Sequence, residues 1–385
     1  MEERGLSEEE VLSLLAEKKR KDLKYEKIFS SMCSYPHELA VKAHIMFLEA
    51  NLGDSGLFAG TKEMEDECIE MIARLFHAEN AHGYISTGGT ESNIQAIRAF
   101  RNLKRKEWRG SPEEGEKMNI VVPASAHFSF DKIADILDIE VRKASLDEEL
   151  KVDLSDVEAL IDRNTIGLVG IAGTTEFGQI DPIRELGEIA LRNDIFLHVD
   201  AAFGGFVIPF LEKKYDFDFA VEGVSSLAAD PHKMLTATIP AGCILFRERR
   251  FLESLAVETP YLTTKTQFSL TGTRSGAAVA ATFSLLKFLG CEGMRKIVRE
   301  CMRLTEMLVA RCKTFGVHPV LEPVMNVVAL NVPHAEGVSE ALKRRGWVTS
   351  VTREPKALRL VIMPHITENA VSAFLEDLKA VLLRV

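Results

Sequence analysis

Short apolar runs alternate with longer amphipathic segments between about residues 62 and 247. The apolar runs predict strands at 83–85, 120–122, 140–143, 167–171, 196–199 and 242–246. The segments between them predict helices, among them 63–76 and 92–102. Strands separated by helices are typical of a mostly parallel sheet with helices on both faces. The middle of the chain is therefore predicted to be an α/β domain.

The two ends of the chain follow other patterns. Residues 7–50 predict two helices, the first capped by Ser7 and the second over about 36–49. After residue 276, apolar helices at 277–289 and 291–312 lead to strands at 327–332, 347–351 and 358–362, with helices at 339–345 and 367–383. We predict three parts: an N-terminal helical arm (1–50), a large α/β domain (51–276), and a linking helix with a small α+β C-terminal domain (277–385). The arm has little of its own to bury, so we expect it to pack on a partner subunit or to fold back on its own chain.

Composition narrows the class of protein. The chain has 385 residues, 46% of them hydrophobic and 27% charged, with a net charge of −10, which is ordinary for a globular protein. The negative charge argues against an extended nucleic-acid surface, and the charged segment 104–116 is predicted to be a solvated loop. No apolar stretch is long enough for a membrane span or a signal core, so we expect a cytoplasmic protein. The six cysteines and the scattered histidines show no metal-ligand spacing, and we expect reduced thiols and no metal site.

Two charged residues stand where chemistry is expected. Lys233 follows His232 in a weakly polar run, and a partly desolvated lysine amine is a nucleophile toward aldehydes. Asp200 ends an apolar strand, at the sheet edge where α/β proteins bind ligands. A protonated pyridine nitrogen would be a suitable partner for this carboxylate, and the small Ala202 would let a flat ring approach the backbone. Taken alone, Lys233 is also explained as a surface lysine, and Asp200 is also explained as a carboxylate that caps the following loop.

Two further signals precede them in the chain. Gly88, Gly89 and Thr90 lie between a strand and a helix, where free N–H groups and the helix dipole form an anion site suited to a phosphate. A glycine-rich turn with an N-cap would look similar. His127 follows the strand at 120–122. Its imidazole is placed to stack on an aromatic cofactor, or else to bond the backbone of its own loop.

Taken in order, these four signals resemble a known family. Gly-Gly-Thr at 88–90, Ala-His at 126–127, His-Val-Asp-Ala-Ala at 198–202 and His-Lys at 232–233 are similar to the pyridoxal-phosphate (PLP) enzymes of fold type I, and among these to the group II amino-acid decarboxylases. The likeness extends to Gly-Thr-Thr at 173–175, Gly-Thr-Arg-Ser-Gly at 272–276 and the segment 358–365, and it covers nearly the whole chain. The length and the segments 31–34, 51–54 and 58–61 resemble the archaeal L-tyrosine/L-aspartate decarboxylases.

The resemblance implies a fold, a cofactor and an assembly. The fold is the PLP-dependent transferase fold type I, with a mostly parallel seven-stranded sheet, and the protein is a homodimer with active sites at its interface. The cofactor is pyridoxal 5'-phosphate, held by Lys233 as a Schiff base. Asp200 keeps the cofactor ring nitrogen protonated, while His127 and Ala202 lie on its two faces.

The resemblance also implies roles for residues that the patterns alone do not single out. His232 lies at or near the phosphate together with Gly88, Gly89 and Thr90, and Thr174 lies near the ring hydroxyl or the substrate carboxylate. Thr273 contributes phosphate contacts from the neighbouring subunit. Arg359 pairs with the substrate carboxylate, for which a bidentate guanidinium is suited. Tyr261 is a candidate for the mobile-loop tyrosine that returns a proton to Cα, although packing at an interface is an equal explanation.

The substrate stays open at this stage. The resemblance favours L-aspartate, giving β-alanine for coenzyme A synthesis, and/or L-tyrosine, giving tyramine for methanofuran synthesis, with glutamate as a third possibility. Ser55 and Ala59 stand where the family usually has other residues, which leaves the substrate contacts in doubt. Rival interpretations are a PLP-dependent phosphate-ester lyase of the sphingosine-phosphate-lyase type, a transfer-RNA-dependent cysteine-forming enzyme, and a scaffold protein without activity. The acidic surface disfavours the second, and the joint presence of Lys233, Asp200 and His127 disfavours the third.

Overall fold

A seven-stranded sheet organises the large part of the chain, as predicted. The computed structural model describes residues 3–107 and 117–384. The strands follow the order β1-β7-β6-β5-β4-β2-β3, and only β7 runs antiparallel to its neighbours. They are β1 (His82–Ser86), β2 (Asn119–Pro123), β3 (Glu140–Ala144), β4 (Thr165–Ile171), β5 (Phe196–Asp200), β6 (Val224–Ala229) and β7 (Gly242–Phe246).

Strand β6 is the one strand of this sheet that the sequence pattern missed. It reads Val-Ser-Ser-Leu-Ala-Ala and lacks the apolar run by which the other six were recognised. It nevertheless lies near the middle of the sheet, between β5 and β7. Its side chains are buried because they project from the two faces of the sheet, where α4 (Gly89–Glu107) and the turn at 204–206 pack on them. This burial is a tertiary effect and not a local propensity.

Helices cover both faces of the sheet. They are α3 (Ala59–Leu75), α4 (Gly89–Glu107), α5 (Ser129–Leu137), α6 (Leu154–Leu160), α7 (Ile183–Arg192) and α8 (Arg249–Glu253). Successive residues Leu168 and Val169 on β4 belong to two different apolar clusters, because side chains along a strand alternate between faces. The predicted solvated loop at 104–116 is wrong for 104–107, which continue α4, and the rest of the segment, 108–116, lies outside the described residues.

A long helical segment joins the large sheet to the C-terminal part. The two helices predicted at 277–289 and 291–312 are both present: they form α9 (Gly276–Lys313), which is interrupted at Gly290, where φ of +53° and ψ of −167° are not helical. By length and composition α9 is capable of crossing a membrane, a test that core helices of soluble proteins also pass. Its apolar residues pack against α3 and against the N-terminal helix α2 (Glu38–Met46). We therefore interpret α9 as a core helix.

The C-terminal part is a small antiparallel sheet with two helices, as predicted. Its strands, β10 (His318–Pro319), β11 (Val327–Asn331), β12 (Ser350–Val351) and β13 (Leu358–Val361), follow the order β10-β11-β13-β12. The helices are α10 (Ala335–Lys343) and α11 (Glu368–Leu382). Phe29 from the N-terminal segment stacks on Phe374 with ring centroids 4.8 Å apart and meets the edge of Trp347. The N-terminal segment thus supplies part of the core of the small sheet.

The first helix, α1 (Glu8–Lys19), is fully exposed. Ser7 and Glu10 form the predicted capping box, in which each side chain accepts a hydrogen bond from the other residue's backbone. None of its residues is buried, and the apolar Leu12 and Leu15 are 57% and 59% exposed. Of the two expected outcomes for the arm, folding back on its own chain holds for α2 but not for α1.

A two-stranded sheet of β8 (Val257–Glu258) and β9 (Thr266–Gln267) precedes α9.

Candidate active site

A cavity of about 300 Å³ lies at the carboxyl ends of the parallel strands, where open α/β sheets bind their ligands. Loops that follow β1, β2, β4, β5 and β6 supply its walls. Eight of the twelve residues predicted from the sequence line it. They are Gly88, Gly89, Thr90, His127, Asp200, Ala202, His232 and Lys233.

The start of α4 forms a close-fitting cradle for an anion. The N–H groups in the first turn of a helix have no partner within the helix, and together they create a positive potential at its N-terminus. A Cβ atom on Gly89 would lie 3.0 Å from Cβ of Ala202, and one on Gly88 would lie 3.3 Å from Cε1 of His232. Gly88 also has φ +145°, a conformation that side chains disfavour. A side chain at either position would therefore press on its neighbour, and Gly88 is favoured by its backbone conformation as well.

Asp200 lies at the end of a chain of buried hydrogen bonds. Its Oδ2 accepts from Nδ2 of Asn93 at 2.8 Å, and its Oδ1 accepts from the N–H of Ala202 at 3.0 Å. Nε2 of His198 donates to Oδ1 of Asn93 at 2.9 Å, and Nδ1 of His198 lies 2.8 Å from Oγ of Ser226. A carboxylate has about four lone-pair sites, so Asp200 keeps capacity for one more donor. The chain fixes the direction of the carboxylate toward the cavity.

Sequence reasoning did not select three members of this chain, namely Asn93, His198 and Ser226. His198 lies in the motif at 198–202, whereas Asn93 and Ser226 lie outside the motifs that carry the resemblance. The one local signal was spacing, since residues two apart on a strand share a face and place His198 beside Asp200. The contact between His198 and Asn93 spans 105 residues of sequence, and no local pattern reports it.

Burial makes His198 sensitive to acid. Desolvation lowers its pKa from 6.5 to about 4, so the ring is neutral at neutral pH. Between these values the unfolded chain binds more protons than the folded chain. We expect the free energy of unfolding to fall by roughly 3 kcal/mol as pH falls from 6.5 to about 4.

Urea unfolding of the wild type and of His198→Gln across this pH range measures the effect. The variant lacks the titrating group, so its free energy of unfolding is expected to be lower at neutral pH and to depend less on pH. Equal slopes in the two proteins would show that other groups cause the acid sensitivity.

His127 stands on the loop after β2 and is half-buried. Its Nδ1 accepts a hydrogen bond from the N–H of Ser129 at 3.2 Å, which leaves the ring proton on Nε2. Burial lowers the pKa of His127, so the imidazole is a neutral, flat surface on the cavity wall. His127 therefore bonds the backbone of its own loop, as one expectation had it. The same geometry leaves its face free to stack on a cofactor ring, as the other expectation had it.

Lys233 lies on the loop after β6, beside a carboxylate that sequence reasoning passed over. Its Nζ is 3.3 Å from Oδ2 of Asp230, and Nε2 of His232 is 3.8 Å from the same oxygen. Asp230 is 2% exposed, and its Oδ1 has no hydrogen-bond partner among the described residues. The one sequence feature that pointed to Asp230 was its position three residues before Lys233.

Four predicted residues do not line the cavity. Thr174 is buried, and its Oγ1 accepts from the N–H of Gln179 at 3.0 Å, so the side chain serves a turn. Arg359 is buried on β13 and donates to the carbonyl of Thr175, which does line the cavity. Burial lowers the pKa of Arg359 to about 10, which leaves the guanidinium protonated at neutral pH.

Tyr261 and Thr273 are exposed on this chain. Tyr261 lies between β8 and β9 with 86% of its surface exposed, and Thr273 lies on the loop before α9. Arg274, next to Thr273, is half-buried and pairs with both carboxylate oxygens of Glu65 on α3. This pair fixes the loop to the large domain while Thr273 faces outward.

The donor set fits the cofactor that the resemblance implies. The cavity combines a lysine amine, a buried carboxylate, a neutral imidazole and a helix N-terminus. Two buried polar atoms on its wall, Oγ of Ser125 and Oδ1 of Asp230, have no partner among the described residues, which is typical of a site built for a polar ligand. In the described part of the chain, no group of three or more His, Cys, Asp or Glu residues is placed to hold a metal ion.

Comparison with known proteins gives the family. Residues 59–332 match the family model described as the pyridoxal-dependent decarboxylase conserved domain. A protein of Methanosarcina barkeri named probable L-tyrosine/L-aspartate decarboxylase is 57% identical over 394 residues, and the match covers 99% of each chain. A protein of Archaeoglobus fulgidus named probable L-aspartate decarboxylase is 52% identical over 375 residues, covering 97% of this chain and 100% of that one.

Solved structures agree on the fold. A Lactobacillus brevis glutamate decarboxylase superposes with a TM-score of 0.91 at 22% identity, covering 100% of this chain and 94% of that one. A Burkholderia pseudomallei sphingosine-1-phosphate lyase superposes with a TM-score of 0.90 at 28% identity, covering 100% of this chain and 92% of that one. Fold type I is thereby confirmed. The chain belongs to the pyridoxal-dependent decarboxylase family, and it is an amino-acid decarboxylase whose cofactor is pyridoxal phosphate.

Proposed function

We propose that the enzyme removes the α-carboxylate of L-aspartate, giving β-alanine, and/or of L-tyrosine, giving tyramine. The observation that carries the chemistry is the convergence of Lys233, Asp200 and His127 on one cavity. The choice of substrates is supported by the names of full-length relatives that are 52% and 57% identical. In this proposal β-alanine supplies coenzyme A synthesis and tyramine supplies methanofuran synthesis.

Each residue of the cavity has a proposed task. Pyridoxal phosphate, when bound, supplies a cationic ring that accepts electrons from the bond breaking at Cα. The amine of Lys233 is the nucleophile toward the aldehyde. Asp200, oriented by Asn93, holds a proton on the ring nitrogen, and charge fixed in advance at that point stabilises the transition state more than the ground state.

The remaining contacts position the cofactor and the substrate. The N-terminus of α4 at Gly88, Gly89 and Thr90, with His232, holds the phosphate. His127 and Ala202 enclose the ring between them. The guanidinium of Arg359 is proposed to orient the substrate carboxylate, from its position behind Thr175.

We also propose that the active enzyme is a homodimer. Tyr261 and Thr273 are exposed on this chain, and their expected roles, a proton donor and a phosphate contact, place them in the cavity of a second copy. The exposed apolar side chains of α1 offer a surface for that copy to cover. The six cysteines are free thiols, which supports a proposed location in the reducing cytoplasm.

Carbon dioxide release from aspartate, tyrosine and glutamate by the cofactor-loaded enzyme tests the substrate. We expect release from aspartate, tyrosine or both, with β-alanine or tyramine identified by mass spectrometry, and no release by Lys233→Ala. Release from glutamate alone would contradict the proposed substrates while leaving the chemistry of Lys233 in place.

A phosphate-ester lyase is the second candidate, because a solved lyase is 28% identical to this chain. Such an enzyme must bind the phosphate of its substrate as well as that of the cofactor. Lys233 is the only lysine or arginine among the described residues that line the cavity, so a single chain offers no further cation there. Silence on all three amino acids, together with cleavage of sphingosine 1-phosphate to a long-chain aldehyde, would favour this candidate.

A further inference from the structure

One part of the cavity wall comes from outside the large domain. Met32 lines the cavity, and among the described lining residues it alone belongs to the N-terminal arm. Residues 29–37 around it form neither helix nor strand. Such a segment has no ladder of backbone bonds of its own, so contacts with the rest of the chain must fix its position. We call residues 28–37 the strap.

The two ends of the strap are bonded to different parts of the fold. At its start, the N–H of Phe29 donates to the carbonyl of Val348 at 2.8 Å, beside the small C-terminal sheet. At its end, the N–H of His37 donates to the carbonyl of Thr236 at 3.0 Å, three residues after Lys233. The strap therefore bridges the small sheet and the loop that carries the lysine.

His365 holds the strap on both sides of Met32. Its Nε2 lies 3.0 Å from the carbonyl oxygen of Ile28, and its Nδ1 lies 3.0 Å from Oγ of Ser34. A carbonyl oxygen only accepts, so Nε2 carries the ring hydrogen and donates it. Burial lowers the pKa of His365, so the ring is neutral at neutral pH and its bare Nδ1 accepts from the hydroxyl of Ser34. The ring of Tyr25, with its centroid 5.0 Å away, packs against the imidazole.

The strap lies close to Lys233. Cys33, next to Met32, is near enough for the charges of Lys233 and Asp230 to act on its thiol. The N–H of Cys33 donates to Oγ of Ser31 at 3.0 Å, which forms a tight turn beside Met32. In the proposed function the aldehyde is attached at Lys233, so Cα of the amino acid must lie there. The substrate side chain is then adjacent to the strap.

We propose that His365 is a positioning residue that fastens the strap and thereby sets the place of Met32, which limits the size of the substrate side chain. This inference rests on the proposed function, because Met32 bears on substrate choice only if an amino acid binds at Lys233. A methionine side chain is unbranched and flexible, so its backbone must be fixed if it is to discriminate. Neither His365 nor Ser34 lines the cavity, so their effect on the substrate passes through the strap.

Thiol labelling measures the fastening directly. The cofactor-loaded full chain and its His365→Ala variant are treated with iodoacetamide, and alkylation of each cysteine is followed by peptide mass spectrometry. Cys33 is half-buried in the strap. We expect its labelling to be about tenfold faster in the variant, because two hydrogen bonds that hold the strap are lost. An unchanged rate at Cys33 would overturn the fastening by His365.

The other thiols report on the fold in the same experiment. Cys291 is exposed and is expected to react equally in both proteins, whereas Cys68, Cys243 and Cys301 are buried and stay unlabelled while the chain is folded. If these three react in His365→Ala, Ser34→Ala replaces it. This variant removes one of the two bonds, so labelling of Cys33 is expected to be about fivefold faster. No change at Cys33 in Ser34→Ala would again overturn the fastening.

Substrate preference tests the consequence for Met32. We compare kcat/KM for the preferred amino acid with kcat/KM for a slightly larger analogue, glutamate for aspartate or O-methyltyrosine for tyrosine. The ratio is expected to fall by about fivefold or more in His365→Ala, because the wall no longer excludes the extra carbon. A merely structural role lowers the fraction of active enzyme and leaves the ratio unchanged. A wild-type ratio together with faster labelling of Cys33 would overturn the role of Met32.

Two further variants make the result specific. His318 is an exposed histidine on β10 of the same small sheet, and His318→Ala is expected to match the wild type in both measurements. Ser34→Ala combined with His365→Ala is expected to behave as His365→Ala alone, because Ser34 acts through the imidazole. Additive effects of the two substitutions would contradict this shared role. If the wild type releases carbon dioxide from none of the amino acids, the proposed function fails and the role of Met32 fails with it, whereas unchanged labelling of Cys33 contradicts the role of His365 alone.

Discussion

Lys233→Ala is expected to lower the rate of decarboxylation by about 10⁴-fold or more, the scale seen when a covalent catalyst is removed from an active site. The side chain is 19% exposed and forms part of the cavity wall, so its packing contribution is small. Its loss leaves Asp230 buried without a cation, and we expect the free energy of unfolding to fall by about 1–3 kcal/mol. Single-turnover carbon dioxide release measures the rate, and urea unfolding measures the stability.

The matched control is a lysine outside the cavity. Lys213 is exposed and lies over the ring of Tyr215, so Lys213→Ala is expected to keep the wild-type rate. A loss of less than about tenfold in Lys233→Ala would mean that this amine is not the nucleophile. Mass spectrometry after borohydride reduction then identifies which lysine, if any, carries the cofactor.

The second large effect is expected at Asp200. Asp200→Asn removes the charge that holds a proton on the ring nitrogen, and we expect the rate to fall by about 10²–10³-fold, comparable to losing one preorganised electrostatic contact. The change also disturbs a hydrogen bond. Asp200 accepts hydrogen bonds from the amide of Asn93 and from the N–H of Ala202. The amide introduced at position 200 accepts through its oxygen only. Its NH₂ group therefore faces one of these two donors and cannot bond it. This costs about 1–3 kcal/mol of stability.

A charge swap separates the two consequences. In the double variant Asn93→Asp with Asp200→Asn, the new amide donates to the new carboxylate and accepts from Ala202, while His198 still donates to position 93. We expect the free energy of unfolding to recover most of its loss and the rate to stay low, because the carboxylate has moved from position 200, where it is proposed to meet the ring nitrogen, to position 93. Recovery of the rate together with the stability would show that Asp200 acts only by holding the fold.

Prediction from the sequence was most successful where the signal is local. Six of the seven strands of the large sheet, three of the four strands of the small sheet and the Ser7 cap follow from runs of apolar residues or from side chains that bond nearby backbone. The short strand β10 was not predicted. The glycine pair at 88–89 was recognisable because it stands between an apolar strand and the start of a helix. The missing strand, Val224–Ala229, is the case in which the run is not apolar and burial by neighbours decides the structure.

The residues of the site also divide into those that the sequence indicates and those that only the tertiary structure reveals. The sequence by itself determined that a lysine, a carboxylate, an imidazole and a glycine-rich helix start occur in an order that resembles PLP decarboxylases, since each residue type carries its chemistry wherever it stands. Only the tertiary structure decided which groups hold them in place. Asn93, His198 and Ser226 support Asp200 through contacts that span 28 and 105 residues of sequence. Asp230 pairs with Lys233 through one oxygen, and its other oxygen has no partner in the described part of the chain. The physical reason is that hydrogen bonding and desolvation depend on distances between residues far apart in the chain, and those distances exist only once the sheet has formed.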